Sequence, residues 1–158
     1  MSLLRRAAFG AAAAALLATL TGCTLASKID TQPQTAITLG ESWGKTLATR
    51  DAKKIAGQYA PDAVLLATFT NKIQTPEARL KYFQGLAKND GLRVKFNTMV
   101  ARTLANDTVS LSGLYTFMYE DAQGRTVKAP ARYTFVWENR NGEWKVVEHH
   151  SSVRPEKK

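Results

Sequence analysis

One cysteine, Cys23, is all the chain has, so no intrachain disulfide can staple the fold. Histidine is equally scarce: His149 and His150 are the only two, and they are adjacent. Neighbours on a strand point to opposite faces, so this pair cannot chelate one metal, and no resident metal is expected. The sequence has no HExxH helix, no glycine-rich phosphate loop and no Ser/His/Asp spacing, so no cofactor is implied either. Acidic side chains are few: 13 Asp and Glu against 22 Lys and Arg give a formal net charge of +9. The cations are spread along the chain and not interleaved with aromatics in a block, which argues against nucleic acid as a partner. The charge reads as a solvated surface that favours anionic lipid or an acidic ligand.

Long apolar runs are also rare, and the one that stands out is N-terminal. Arg5 and Arg6 precede the Ala-rich stretch from Ala7 to Leu20, and Leu20-Thr21-Gly22-Cys23 follows. A positive start, an apolar middle and small residues at the end are the three regions of an export signal. The stretch is short for a permanent membrane span, and it lacks the amphipathic pattern of a buried helix. Leu-Thr-Gly-Cys resembles the lipobox of bacterial lipoproteins, in which the cysteine is diacylated and becomes the mature N-terminus. Cys23 is therefore expected to be a lipidation site that anchors the protein to a membrane, with plain secretion and cleavage near Ala26 as the alternative. The expected organisation is a signal peptide over 1–22, a tether over 23–34 and one domain over 35–156, exported to the periplasm. Loss of Arg5 and Arg6 lowers the formal charge from +9 to +7.

The rest of the chain has ordinary globular composition, with 44% hydrophobic and 22% charged residues. Thr35 to about Tyr59 is expected to be helical, with Ile37, Gly40, Trp43, Gly44 and Leu47 on one face and a break at Arg50-Asp51. Asp51 can cap a second short helix carrying Ile55 and Tyr59, which Ala60-Pro61-Asp62 ends. Ala63 to Thr68 reads as a buried strand. Thr75-Pro76-Glu77 starts a further helix running to about Lys88, with Ala78, Tyr82, Phe83 and Leu86 on its apolar face. Four strands follow. The first carries Leu92, Val94, Phe96, Thr98 and Val100 on one face. The second carries Val109, Leu111, Gly113, Tyr115, Phe117 and Tyr119. The third carries Ala131, Tyr133, Phe135 and Trp137, and Asn141-Gly142 turns the chain into the last strand, from Glu143 to about Val153. Short turns make sequential strands pair. The pattern is an α+β fold: a curved antiparallel sheet packed on N-terminal helices.

Three segments carry a family resemblance: DAKKIAGQYAPDAVLL from Asp51 to Leu66, TPEARLKYF from Thr75 to Phe83, and the closing hairpin ARYTFVWENRNGEWKVVEHHSSVRPE from Ala131 to Glu156. Together they resemble the NTF2-like (SnoaL-like) superfamily, and within it the association domain of calcium/calmodulin-dependent protein kinase II and its stand-alone bacterial relatives. The resemblance implies a cone-shaped barrel with a pocket inside the cone. It also implies self-association into a homodimer or larger homo-oligomer, since such domains usually dimerise through the sheet and the kinase domains build rings. No kinase domain accompanies it here, so kinase activity and calmodulin binding do not carry over.

The expected site draws on strand parity and on this resemblance. Arg132 sits mid-strand, opposite in parity to Tyr133, Phe135 and Trp137. If buried it needs an anion, because it cannot neutralise itself by losing a proton; the alternative is an exposed charge. His149 and Ser151 share one face of the last strand; His150 and Ser152 share the other. The kinase association domain also carries His at the position of His150, which makes His150 the inherited pocket candidate, with Ser152 beside it. His149 serves as a hydrogen-bonding group or base, or simply as a structural residue. Arg154 rims the pocket or lies in solvent, and Tyr59 and Trp43 line an apolar wall or pack the core. Enzymes of this superfamily usually place a carboxylate or an Asp–His pair in the cone, and no Asp lies mid-strand here. The expectation is a domain that binds a small anionic or amphipathic ligand and self-associates. A lyase or isomerase using a pocket His, or a pure oligomerisation module with a filled cone, is the alternative.

Overall fold

The computed structural model describes residues 32–68, 70 and 75–155; the segment expected to be an export signal, and Cys23, lie outside the described residues. Helix α1 (Gln32–Ala48) buries Ala36, Gly40, Trp43 and Leu47, one residue per turn down a single stripe. It begins three residues before Thr35. Gly40 allows the close approach: a Cβ there would stand 2.5 Å from Leu111 Cδ2. After the break at Arg50, Asp51 caps α2 (Ala52–Gly57), its carboxylate accepting from Lys53 and Lys54 N–H at 3.0 and 3.1 Å.

Strand β1 spans Tyr59–Leu66, so Tyr59 opens a strand and does not end a helix. The reason is long-range pairing. Val146 N donates to Gln58 O at 2.9 Å, which starts a parallel ladder between β1 and the last strand. Pro61 and Asp62 fall within the register shift of that ladder, where the strand tolerates a missing N–H. Helix α3 (Pro76–Leu86) starts as expected, with Thr75 Oγ1 accepting from Ala78 N at 3.3 Å. Strands β2 (Arg93–Ala105), β3 (Thr108–Glu120), β4 (Thr126–Arg140) and β5 (Glu143–Val153) complete a curved, unclosed sheet in the order β1-β5-β4-β3-β2. All of its pairings are antiparallel except β1 with β5.

Two bulges reset which side chains face inward. Asn97 is an extra residue in β2, so Val94 and Phe96 point to the helices while Val100 points away, 55% exposed. Strict alternation had placed Val100 with Val94. Val147 is an extra residue in β5, so Val146 joins His149 inside, although alternation put them on opposite faces. The core fills the space between α1, α3 and the inner sheet face. Trp43, Leu47, Ile55, Leu65, Phe83, Leu111, Tyr115, Phe135 and Trp137 are at most 2% exposed. Burial of each such side chain contributes roughly 1.5–3 kcal/mol, so this layer is the main source of stability.

Candidate functional site

A chain of six hydrogen-bonded groups runs through the apolar interior, from buried Trp43 to half-buried Thr68. Trp43 Nε1 donates to Tyr59 Oη at 3.0 Å. With that oxygen accepting, Tyr59 gives its own proton to His149 Nδ1 at 2.9 Å. His149 is then the neutral tautomer with its hydrogen on Nε2, which faces Tyr115 Oη at 3.4 Å. Tyr115 donates to Ser151 Oγ at 2.5 Å, and Ser151 meets Thr68 Oγ1 where β1 ends. The imidazole stacks on Phe135 at 3.8 Å between centroids and meets Trp43 edge-on. Burial, with the charge of His150 second, holds the His149 ring down to about 3, so it is neutral at any physiological pH. Burial likewise pushes the Tyr59 and Tyr115 hydroxyls up, so both stay protonated donors.

Arg79 is a further polar group inside, apart from that chain. It is 2% exposed, and its guanidinium donates to the carbonyls of Ala63 and Ala60, both at 2.8 Å, and of Pro61 at 3.4 Å. It also lies 5.3 Å from the centroid of the Tyr59 ring. Ala60, Pro61 and Ala63 fall in the register shift of β1, and Arg79 supplies donors to their carbonyls. Its charge is thereby turned toward backbone, away from the imidazole.

Little room is left inside. The cavity beneath α3, bounded by Thr68, Tyr82, Leu86, Phe117 and Ser151, has a volume of about 10 Å³. That admits one water at most. A ring held near 3 is also a weak general base at neutral pH. Among the described residues no group of three His, Cys, Asp or Glu could hold a metal ion.

The expected site residues divide between two faces of the sheet. Trp43, Tyr59 and His149 come together inside. Arg132 and His150 are exposed on the outer face with the half-buried Ser152, and Arg154 follows them into solvent. Strand parity separated these sets correctly, but the imidazole inside the cone is His149, not the inherited candidate His150. Ordinary tertiary packing decides this: Phe135 and Tyr133 face the helices, and His149 and Ser151 are their β5 partners. The sequence pattern put Tyr115 on an apolar strand face and Ser151 on the same face as His149, but nothing in it tied them to Thr68 or singled out Arg79.

On the outer face, shallow dents adjoin across the sheet. One of about 420 Å³ is lined by Gly113, Leu114, Arg132, Thr134 and His150, and one of about 140 Å³ by Val64, Leu66, Glu148 and His150. Val100 and Leu104 border a third beside β2. Leu66, on the β1 edge, and Val100 and Leu104, on the β2 edge, are 39, 55 and 56% exposed.

The sequence profile of the calcium/calmodulin dependent protein kinase II association domain matches residues 32–155. The chain belongs to that family. A Xanthomonas campestris protein assigned to the same domain has a crystal structure that superposes with a TM-score of 0.75 at 36% identity, covering 78% of this chain and 89% of that one. The association domain of the Caenorhabditis elegans kinase superposes at 0.65 with 10% identity, covering 77% and 95%. An NTF2-like protein of cystatin-like fold from Novosphingobium aromaticivorans superposes at 0.64 with 13% identity, covering 79% and 84%. The last two establish likeness of fold alone. No protein of curated description matches the sequence. The architecture is thus the NTF2-like one that the association domains share.

Proposed function

We propose that this protein is an exported, lipid-anchored association-domain scaffold whose work is to bring copies of itself together. The observation that carries the reading is the contrast between a filled interior and an unfilled exterior. Among the described residues, the cavity beneath α3 holds about 10 Å³. The outer sheet face leaves Leu66, Val100 and Leu104 open to water, so a second copy laid on that face would bury them. Export and acylation of Cys23 rest on the leader alone: Arg5, Arg6, the apolar run and Leu20-Thr21-Gly22-Cys23.

A second reading keeps a small ligand, at the mouth of the cone. It is favoured by the one polar chain that ends there, at Ser151 and Thr68. Arg79 is bound to carbonyls and Arg132 lies outside, so of the anionic or amphipathic ligand expected from sequence such a guest would keep only the neutral, amphipathic character.

Sedimentation velocity of the Cys23→Ala chain across a concentration series tests the scaffold reading. The expected result is a discrete species at two or more times the monomer mass that persists into the low micromolar range. A monomer at every concentration overturns it.

A further inference from the structure

Positive charge is gathered at one end of the outer face. Three neighbouring rows cross the strands near the β3–β4 turn: Arg93–Met118–Lys128, Lys95–Thr116–Pro130 and Thr98–Leu114–Arg132–Ser152. They point outward because Val94, Phe96, Tyr115, Phe117, Ala131 and Tyr133 point to the core. Arg154 N donates to Pro130 O at 3.3 Å, which adds a cation to the second row. Arg93, Lys95, Lys128, Arg132 and Arg154 are all exposed, and no member of these rows is Asp or Glu. Among the described residues none of these cations is in an ion pair. The acids nearby are engaged or peripheral: Asp90 and Asp121 pair with Arg50 and Arg125, and Glu120 lies one row further out.

We propose that this end of the outer face binds a linear acidic polysaccharide. The cations do not converge on one point. Positions two apart on a strand are separated by about 7 Å and those on alternate strands by about 10 Å, so Arg93, Lys95 and Lys128 mark out a lattice and not a pocket. Such a lattice matches a carboxylate that repeats along a chain, with each guanidinium free to grip one in the bidentate manner. No aromatic stands in the three rows, so nucleic-acid bases have no stacking platform there. A bilayer is disfavoured by where the chain is tethered. Gln32, at the start of α1, donates to Asn106 O in the β2–β3 turn at 2.8 Å, and the 13 residues of β2 lead from that turn to Arg93. That is about 40 Å along the strand. The segment from Cys23 to Gln32 reaches at most about 30 Å, so an anchored domain cannot stand on its basic end. Lying flat is closed once a second copy covers Leu66, Val100 and Leu104, a point that rests on the scaffold reading.

Titration of the Cys23→Ala chain with fluorescently labelled polygalacturonate, at low and at physiological salt, tests the proposal. Wild-type binding is expected to saturate and to weaken as salt rises. Lys95→Glu/Lys128→Glu should bind at least about tenfold more weakly, because it sets carboxylates against the polymer's own. Lys53→Glu/Lys81→Glu changes the net charge equally at exposed positions on α2 and α3, and should lose less than about threefold. Lys95→Gln/Lys128→Gln should fall between wild type and the Lys95→Glu/Lys128→Glu variant, and circular dichroism verifies that each variant folds. Equal losses in the two Glu variants, or no saturable binding by wild type, overturn the proposal. So does binding to vesicles of anionic lipid that depends on Lys95 and Lys128 when the polymer is not bound. Sedimentation velocity separates this from the scaffold reading. The Lys95→Glu/Lys128→Glu variant should self-associate like wild type, and its failure to do so would make the basic end a contact between copies and overturn polymer binding there. A wild-type chain that binds the polymer as a monomer overturns the scaffold reading alone.

Discussion

Acidification from pH 7 to pH 5 is expected to cost this domain about 2 kcal/mol of stability through one side chain, His149. In the unfolded chain the ring titrates near its ordinary value of 6.5, whereas burial holds it near 3 in the folded domain. The unfolded state therefore binds the proton first. The contribution of the neutral ring is complete above pH 6.5, declines as pH falls, and is exhausted below about 3. Each pH unit well inside that window is worth about 1.4 kcal/mol, which gives the figure of about 2 kcal/mol between pH 7 and pH 5. Asp51, Asp62 and Asp121 shift the other way, held below the usual carboxylate range by hydrogen bonds to Lys54, Arg140 and Arg125 respectively. What they contribute is present above their ordinary value of 3.8 and lost as pH falls through their folded values, so they stay outside the pH 5–7 window. The assay is urea unfolding at fixed protein concentration, because coupled association would otherwise shift the midpoints. Wild type should lose stability steadily from pH 6.5 to 5. His149→Gln, less stable overall, should give a flat line across the same range. A flat wild-type profile, or a His149→Gln profile as steep as wild type, would refute the argument. Nitrogen chemical shifts at pH 6 add an independent check, with Nδ1 unprotonated and Nε2 protonated.

Arg79→Met keeps most of the apolar stem but leaves the Ala60 and Ala63 carbonyls without their donor. At about 1–3 kcal/mol for each orphaned group, a loss of about 3 kcal/mol is expected in urea unfolding, and a change under about 0.5 kcal/mol would contradict the clamp role. Gly113→Ala places a Cβ 2.1 Å from the Thr98 carbonyl oxygen, a backbone atom that cannot swing aside. It should cost about 3 kcal/mol or more and raise hydrogen exchange along β2, whereas a neutral effect would mean the β2 bulge is not rigid.

Much of the architecture was legible because local signals agreed with the global fold. The α1 stripe of Gly40, Trp43 and Leu47, the cap at Thr75 and the hairpin at Asn141-Gly142 all stand where periodicity and turn chemistry put them. Tyr59 was misplaced because a parallel pairing with Val146, far along the chain on β5, overrides the helical pattern around it. Val100 and Val146 were assigned to the wrong faces because a bulge changes parity and leaves no mark on composition. The site was half legible. Parity separated His149 from His150, but only the packing of Phe135 decides which imidazole is inside. Arg79 was hidden by its charge: a lone arginine on a helix reads as solvated until the carbonyls it serves are in place.

The measurement that bears most directly on the scaffold reading is a native mass spectrum of the full-length protein recovered from cells and released gently from its membrane. The account predicts multiples of the subunit mass, each subunit carrying acyl chains on Cys23, with no small molecule held in stoichiometric amount. A monomeric subunit bearing a tightly retained small molecule would contradict it.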